Sequence, residues 1–509
     1  MKRNLIAILL LAALTLSMLA ACGGEAKPSA VPGENKAAET TAAEAVETEA
    51  PPEYVKPDVD LSGQTFIFST LEQLNPNWIA RTYVEAARVE QNGDIINDAI
   101  YQRITDTEET LGVTVESAIY NEIATVVNAT MAGDRYADCV LISGNNLRSV
   151  MPKNLLTDMN IITTLDFSKS WWDEKSVDAF SIGNKLYCAS GDIATFGFLA
   201  SYVTYINKGI LANYNLDSPY DLVRNGQWTL DRAAEYSRAV ASDLNGDGVM
   251  DGNDIFGYES EGGLGIVAAT SMGVNPIRKD ENDMPVLDMD TELAASIVEK
   301  FIPLCRDKSV TLYSSDFASG YKNVFRQFIT EMFIADKLLF VNNWMVVALE
   351  LRNMDSDFGI LPPCKFSESQ SDYICPSSET WTFYATVPKT AGDLDMVGYV
   401  MDALGHFGKD YLHTALIDTT ITSKALRDTD TEEMLDIVST TAIITWSPST
   451  TGAESTACSA ASSRTTTPLS PRNGLPSRRR PSPPFRRRSI RSNKEAARGV
   501  DTPGYIPQG

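Results

Sequence analysis

Between residues 61 and 438, short apolar runs of strand length alternate with segments whose apolar residues recur every three to four positions. That alternation restricts the chain to a layered α/β architecture. Gln64-Thr65-Phe66-Ile67-Phe68-Ser69 reads as a first strand. After Asn92-Gly93-Asp94, the residues Ile96, Ile100, Ile104 and Leu111 share one helical face, and Gly112 is the stop. Val113-Thr114-Val115 is the next strand, and Asp138-Cys139-Val140-Leu141-Ile142-Ser143-Gly144 is a buried one followed by a helix from about Asn146. Parallel sheets of this kind bind ligands beyond the carboxyl ends of their strands, so residues 143–146, Asn145 among them, form a candidate wall of a site.

The pattern then restarts. Tyr202-Val203-Thr204-Tyr205-Ile206-Asn207 is a strand, Thr229 is placed to cap a helix running to about Val240, and Asp231 complements its dipole. Leu338-Leu339-Phe340-Val341 leads a strand that delivers Asn342, Asn343 and Trp344 at its end. Residues 358–363 form a short strand closed by prolines, and 381–387 form another. Met396, Val397, Val400, Met401 and Leu404 stripe a later helix.

The two ends differ from this body. Lys2 and Arg3 precede an apolar run over residues 5–14 that finishes in Leu19-Ala20-Ala21-Cys22, shorter than the roughly 20 residues of a membrane span. It resembles a bacterial lipoprotein signal over residues 1–21, with Cys22 as the lipidated first mature residue. Residues 22–60 are rich in Ala, Glu, Thr and Pro and cannot bury a core, so they read as an acidic tether. Residues 441–509 carry eleven basic against three acidic side chains, whereas the first 440 carry 32 against 64. The whole-chain charge of −24 therefore averages a strongly acidic body with a basic, Ser-, Pro- and Arg-rich tail. A reading-frame shift near residues 439–444 accounts for that tail better than a nucleic-acid-binding arm on an exported protein does. At 43% hydrophobic and 22% charged, the chain is otherwise of globular composition, which excludes a disulfide scaffold and a polytopic membrane protein. Cys139 and Cys188 lie in apolar runs and read as buried, while Cys364 and Cys375 are close enough in sequence to be bridged.

Taken in order, the lipobox, the tether, "NGDIINDAIYQRI", "YADCVLISG", "WWD", "YINK", "PYDLVRNGQWTLD", "DFGILPP", "ATVP" and "LRDTDTEEMLDIV" resemble the extracellular solute-binding lipoproteins of bacterial ABC importers. The carbohydrate-binding group is the nearest. The resemblance implies a two-lobe, periplasmic-binding-protein-like (type II) α/β fold with ligand in the inter-lobe cleft. It places the first crossing near residues 199–206 and the return near 381–387. The first lobe would then be 61–200 with a return at about 381–415, and the second 201–380, continued at about 416–440. It further implies a monomer on the outer face of the cytoplasmic membrane, handing ligand to the transmembrane subunits of an ABC permease, with no enzymatic activity and no nucleic-acid partner.

Two constellations carry chemistry. Asp243, Asn245 and Asp247 at positions one, three and five, Gly248 at six, the Val249 carbonyl at seven and Asp254 at twelve match the EF-hand loop, for which Ca2+ is the expected structural ion. Asp in place of Glu at twelve is its departure. Trp171-Trp172-Asp173, with Asn343-Trp344 and Trp381, offers indole faces for sugar C–H surfaces and polar groups for hydroxyls. Tryptophan is equally a core residue, as Trp228 is expected to be, and the sequence leaves both open. No nucleophile elbow, H-E-x-x-H, phosphate loop or dinucleotide fingerprint occurs. A secreted carbohydrate-active enzyme with two carboxylates about 5–10 Å apart is the alternative to a binder, and a binder of another polar solute, such as a peptide, is a further one.

Overall fold

The computed structural model describes residues 54–72, 85–86, 90–351, 354–378, 382–421 and 429–443. The signal segment, Cys22, the tether up to residue 53, Trp381 and everything beyond 443 lie outside the described residues, and Tyr54, assigned by composition to the tether, stacks on His406 with ring centroids 4.5 Å apart.

The first sheet begins with β1 (Thr65–Leu71), which passes into α1 (Ile95–Leu111), β2 (Thr114–Tyr120), α2 (Ile123–Ala132) and β3 (Cys139–Ser143). Helix α1 forms where its pattern predicts. Asp94 caps it by accepting the Asn97 amide at 2.9 Å, and Gly112 ends it at φ +73°, a conformation that costs glycine little. Strand β1 pairs in parallel with β2 on one side and β3 on the other. All five β3 residues are buried, as a central strand covered on both faces requires.

Past α3 (Glu174–Phe180) the chain enters the second sheet through β4 (Tyr202–Asn207), and continues as α4 (Leu230–Val240), β5 (Phe256–Ser260), α5 (Thr291–Arg306), β6 (Thr311–Tyr313), β7 (Leu338–Trp344) and β8 (Phe358–Leu361). The strand order is β6-β5-β7-β4-β8, with β6, β5 and β7 mutually parallel and β4 antiparallel to both β7 and β8. The chain then returns. β9 (Phe383–Thr386) runs antiparallel to β3, giving the first sheet the order β9-β3-β1-β2, and α6 (Leu394–Phe407) buries Met396, Val397, Val400, Met401 and Leu404. Finally α7 (Thr429–Thr440) packs against the second sheet through Met434 and is tied there by Arg224, which pairs with Asp430 and, at 2.7 Å, Glu433.

The two crossings meet. Ser201, just before β4, and Ser377, just before the return, form an antiparallel bridge, and the Ser378 amide donates to the Ala200 carbonyl at 2.9 Å. The Met345 amide, at the end of β7, donates to the Ser201 carbonyl at 2.8 Å.

Some local expectations are corrected. Thr229 stands at the N-terminus of α4 but its hydroxyl does not cap it. Cys364 and Cys375 are both free and buried, not bridged, as are Cys139, Cys188 and Cys305. Ala442 and Ile443, assigned by composition to the tail, pair in parallel with Cys375 and Pro376. Trp228 is core, 1% exposed, with its indole N–H donated to the Pro362 carbonyl at 3.1 Å.

Because Met434 is fully buried under α7, Met434→Ala is expected to cost about 2–5 kcal/mol in urea unfolding. Glu432→Ala, on the exposed side of the same helix, should stay within about 0.5 kcal/mol of the parent.

Candidate functional site

A concavity of about 430 Å³ opens where the crossings meet. The first lobe contributes the turn at Ser170–Asp173 and the segment from Ser190 to Phe198, the crossings contribute Ser201 and Ser377, and the end of α7 contributes Ser439 and Thr440. The wall depends on one close approach. Trp172 and Gly191 form a β-bridge so tight that a Cβ at Gly191 would lie 2.3 Å from the Trp171 carbonyl oxygen, so only glycine fits. Asp192 follows, and accepts or shares a hydrogen bond with His413 Nδ1 at 2.7 Å. The imidazole also faces the Phe198 ring at 5.3 Å between centroids. Lys175, at the start of α3, hydrogen-bonds the Thr440 carbonyl and thereby spans from the first lobe to α7.

The indoles expected to be sugar platforms are placed differently. Trp171 and Trp172 line the concavity but are only 2% and 5% exposed, and both donate their N–H to Asp402 Oδ1, at 2.8 and 3.1 Å. An indole held edge-on to a carboxylate and covered by α6 has no free face for a sugar ring, which corrects the stacking role expected of this pair. Burial raises the Asp402 carboxyl above its usual range, against the opposing effect of the two indole donors. Asp173 caps α3 by accepting the Lys175 amide at 3.1 Å, and burial raises its carboxyl as well.

The other site residues are dispersed. Asn145 sits at the carboxyl end of β3, where its Oδ1 accepts from Arg148 at 2.8 Å. Arg148 itself lines a separate, largely apolar concavity of about 460 Å³ with Met151, Pro152, Asn154, Leu156, Ile182 and Tyr187. Asn343 is buried and Trp344 half-buried at the carboxyl end of β7, with the Trp344 ring edge-on to Tyr202 at 5.4 Å. Neither is among the residues lining the concavity at the crossings. Trp381 lies outside the described residues.

In the acidic loop, Asp243 accepts the Gly246 and Gly248 amides at 2.7 and 2.8 Å, Asn245 accepts the Asp247 amide at 2.9 Å, and Asp247 accepts the Val249 amide at 2.8 Å. Asp254 is fully buried and turned onto the Leu244 and Asp251 amides at 2.9 and 2.8 Å. Among the described residues no three His, Cys, Asp or Glu side chains converge as a metal cage. In this conformation the carboxylates accept from the loop's own backbone amides.

Asp192, His413 and Asp402 were not singled out by the sequence. His413 and Asp192 are 221 positions apart and Trp171 and Asp402 are 231 apart, so no local spacing links either pair.

No family model and no curated protein matches the chain. Solved structures do. UspC of M. tuberculosis superposes with a TM-score of 0.51 at 13% identity, covering 74% of this chain and 89% of that one. An ABC substrate-binding protein of Listeria monocytogenes, solved with cycloalternan, gives 0.48 at 12% identity, with 77% and 90% covered. The GacH receptor of Streptomyces glaucescens gives 0.46 at 12%, with 76% and 88% covered. The likeness to UspC is one of fold: two α/β lobes joined by crossing strands, the periplasmic-binding-protein-like arrangement.

A buried carboxyl with a raised folded-state pKa stabilises most fully below its unfolded pKa, near 3.9, and that contribution is lost as pH rises through the higher folded value. Asp402→Asn, which keeps an acceptor for the indoles, should therefore gain stability relative to the parent as the pH rises above about 4. Chemical denaturation at several pH values reads this directly. Asp402→Ala strands two buried indole N–H groups and should lose about 1–3 kcal/mol.

Proposed function

We propose that the protein is the extracellular, lipid-anchored solute-binding receptor of an ABC importer, and that it captures a carbohydrate between its lobes for delivery to the transmembrane permease. The observation that carries this reading is the concavity at the crossings, whose wall comes from the first lobe, both crossing segments and the end of α7. A fold of two lobes joined by crossing segments suits hinge closure, in which ligand touching both lobes favours the closed state by its differential affinity. The ordered motifs of residues 61–438 support the receptor class, and Cys22 in its Leu-Ala-Ala-Cys setting supports the anchor. Among the described residues no helix is long and apolar enough to cross a membrane. The protein acts as a monomer in this reading.

Ca2+ at the acidic loop is a separate proposal that rests on the residue pattern at Asp243, Asn245, Asp247, Val249 and Asp254. The Asp254 carboxylate has about four acceptor sites, so its two amide bonds leave lone pairs for the ion.

A thermal-shift screen of the full chain against a panel of neutral and charged oligosaccharides tests the receptor reading. At 100 times its Kd, a true ligand adds about 2.7 kcal/mol and raises Tm by several degrees. Failure of every saccharide to shift Tm sinks the carbohydrate class, and release of new reducing ends from a bound oligosaccharide sinks the receptor in favour of a hydrolase. Calcium is tested by the same melt with excess chelator, where a lowered Tm in the parent and none in Asp247→Ala is the expected pair of results. Cys22→Ser should move the protein from the membrane fraction to the medium.

A further inference from the structure

The lobes also meet through two hairpins, neither of which contains a residue of the crossings. In the first lobe, Ser181–Ile182 and Lys185–Leu186 pair antiparallel around Gly183 and Asn184, whose φ angles are +58° and +61°. Two left-handed residues in a two-residue loop make a type I′ turn, and the amides of those two residues lie outside the strand ladder and need acceptors elsewhere. In the second lobe, Ile277–Lys279 and Pro285–Leu287 pair antiparallel around a loop over residues 280–284. That hairpin is rooted between Val274 and Ile297, both part of the second lobe's core. Asp280 orders the loop by accepting the Asn282 and Met284 amides, each at 2.9 Å, and Asp283 stands in it at φ +60°.

Asp283 meets the first-lobe turn with both its backbone and its side chain. Its carbonyl accepts the Gly183 amide at 3.0 Å, its Oδ2 accepts the Asn184 amide at 2.9 Å, and its Oδ1 accepts the Ser181 hydroxyl at 2.8 Å. Lys279 pairs with Asp283 at 2.6 Å, and its ammonium also reaches the Ser181 hydroxyl at 2.6 Å and the Asp178 carbonyl. The bond from Lys279 first, then those from Asn184 and Ser181, hold the Asp283 carboxyl below its usual range against its partial burial.

A contact of this make-up is built to open and re-form. Ser181 and Gly183 are half-buried and Asn184 is exposed, while the Lys279 and Asp283 side chains keep 26% and 17% of their exposure. Water can therefore replace each bond, and the net worth of each is small beside that of a packed core. The bridge at the crossings differs, because Ala200, Ser201 and Ser378 are buried there.

We propose that the hairpin over residues 277–287 is a clasp on the first lobe, and that its hold on the turn at Gly183 and Asn184 sets the spread of lobe separations in the ligand-free protein. The clasp regulates the cleft, and it rests on the receptor reading for the use of that motion. Asp283 is a positioning residue, since neither it nor Lys279 lines either concavity.

The test is double electron–electron resonance on the purified full chain with no saccharide present. Spin labels on non-natural residues at positions 131 and 298, where Met131 of α2 and Val298 of α5 are exposed, report the two lobes and leave the native cysteines untouched. Asp283→Gly removes the carboxylate and keeps both the left-handed turn and the carbonyl acceptor. The parent should give one narrow distance distribution. Asp283→Gly should give a broader one with a second population, the ratio of clasped to unclasped molecules falling about tenfold for two lost carboxylate bonds. Ser181→Ala, made on the other lobe, should broaden the distribution in the same direction, which keeps the test decisive should Asp283→Gly not fold. Unchanged distributions in the variants, or a parent already as broad as Asp283→Gly, overturn the clasp. A clasp that responds in a chain no oligosaccharide stabilises sinks the receptor reading alone. A saccharide binder whose lobe distance ignores both substitutions sinks the clasp alone.

Discussion

The molecule is organised by the point at which its two crossing segments bridge. Ser201 and Ser377 pair antiparallel, the Ser378 amide reaches Ala200, and Met345 at the end of β7 reaches Ser201. Ala200, Ser201, Met345 and Ser378 are buried, and an unpaired N–H or C=O there costs about as much as a lost hydrogen bond. The crossings therefore satisfy one another, and neither can move alone without breaking the pair. The chain passes between the sheets again before α7, and one apolar core runs from Phe66 and Val140 to Val203 and Phe358, so the bridge is one of several ties between the lobes. The concavity opens beside this bridge.

Around that bridge, three polar nodes commit distant segments to the first lobe. Asp138 accepts the Ile67 and Gly392 amides, both at 2.8 Å, and Arg135 Nε at 2.9 Å, tying β1 to the entry of α6. Arg103, fully buried on α1, donates to the Ile193 carbonyl at 3.4 Å and lies 3.7 Å from Glu85. Asp402 on α6 gathers both indoles of the Trp171-Trp172 pair. Each node joins residues far apart in the chain, and each would leave a buried charge or donor unsatisfied if one partner were removed.

Much of the architecture was legible beforehand. Ile96, Ile100, Ile104 and Leu111 repeat at helical period and are buried on α1, and the apolar run ending at Ser143 is the central strand β3. The Met396 to Leu404 stripe is the inner face of α6. The site was legible only in part. Asn343 and Trp344 do stand at a strand end, since a strand's terminus is a local property, but the Trp171-Trp172 pair is buried because α6, more than 200 positions later, brings Asp402 over it. Nothing near Trp171 in the sequence encodes that cover. Likewise, the acidic loop has the right donors in the right order, yet its carboxylates are turned onto their own backbone amides.

The sequence by itself determined the α/β class, the division into an acidic folded body with unlike ends, and the order of elements, because periodicity, turn residues and composition are read over short windows. The tertiary structure alone decided which distant polar groups pair, where the concavity opens, and which tryptophans are covered. Those outcomes depend on β9, α6 and α7 returning late in the chain to cover or complete segments laid down earlier, and contacts at such separation leave no local pattern.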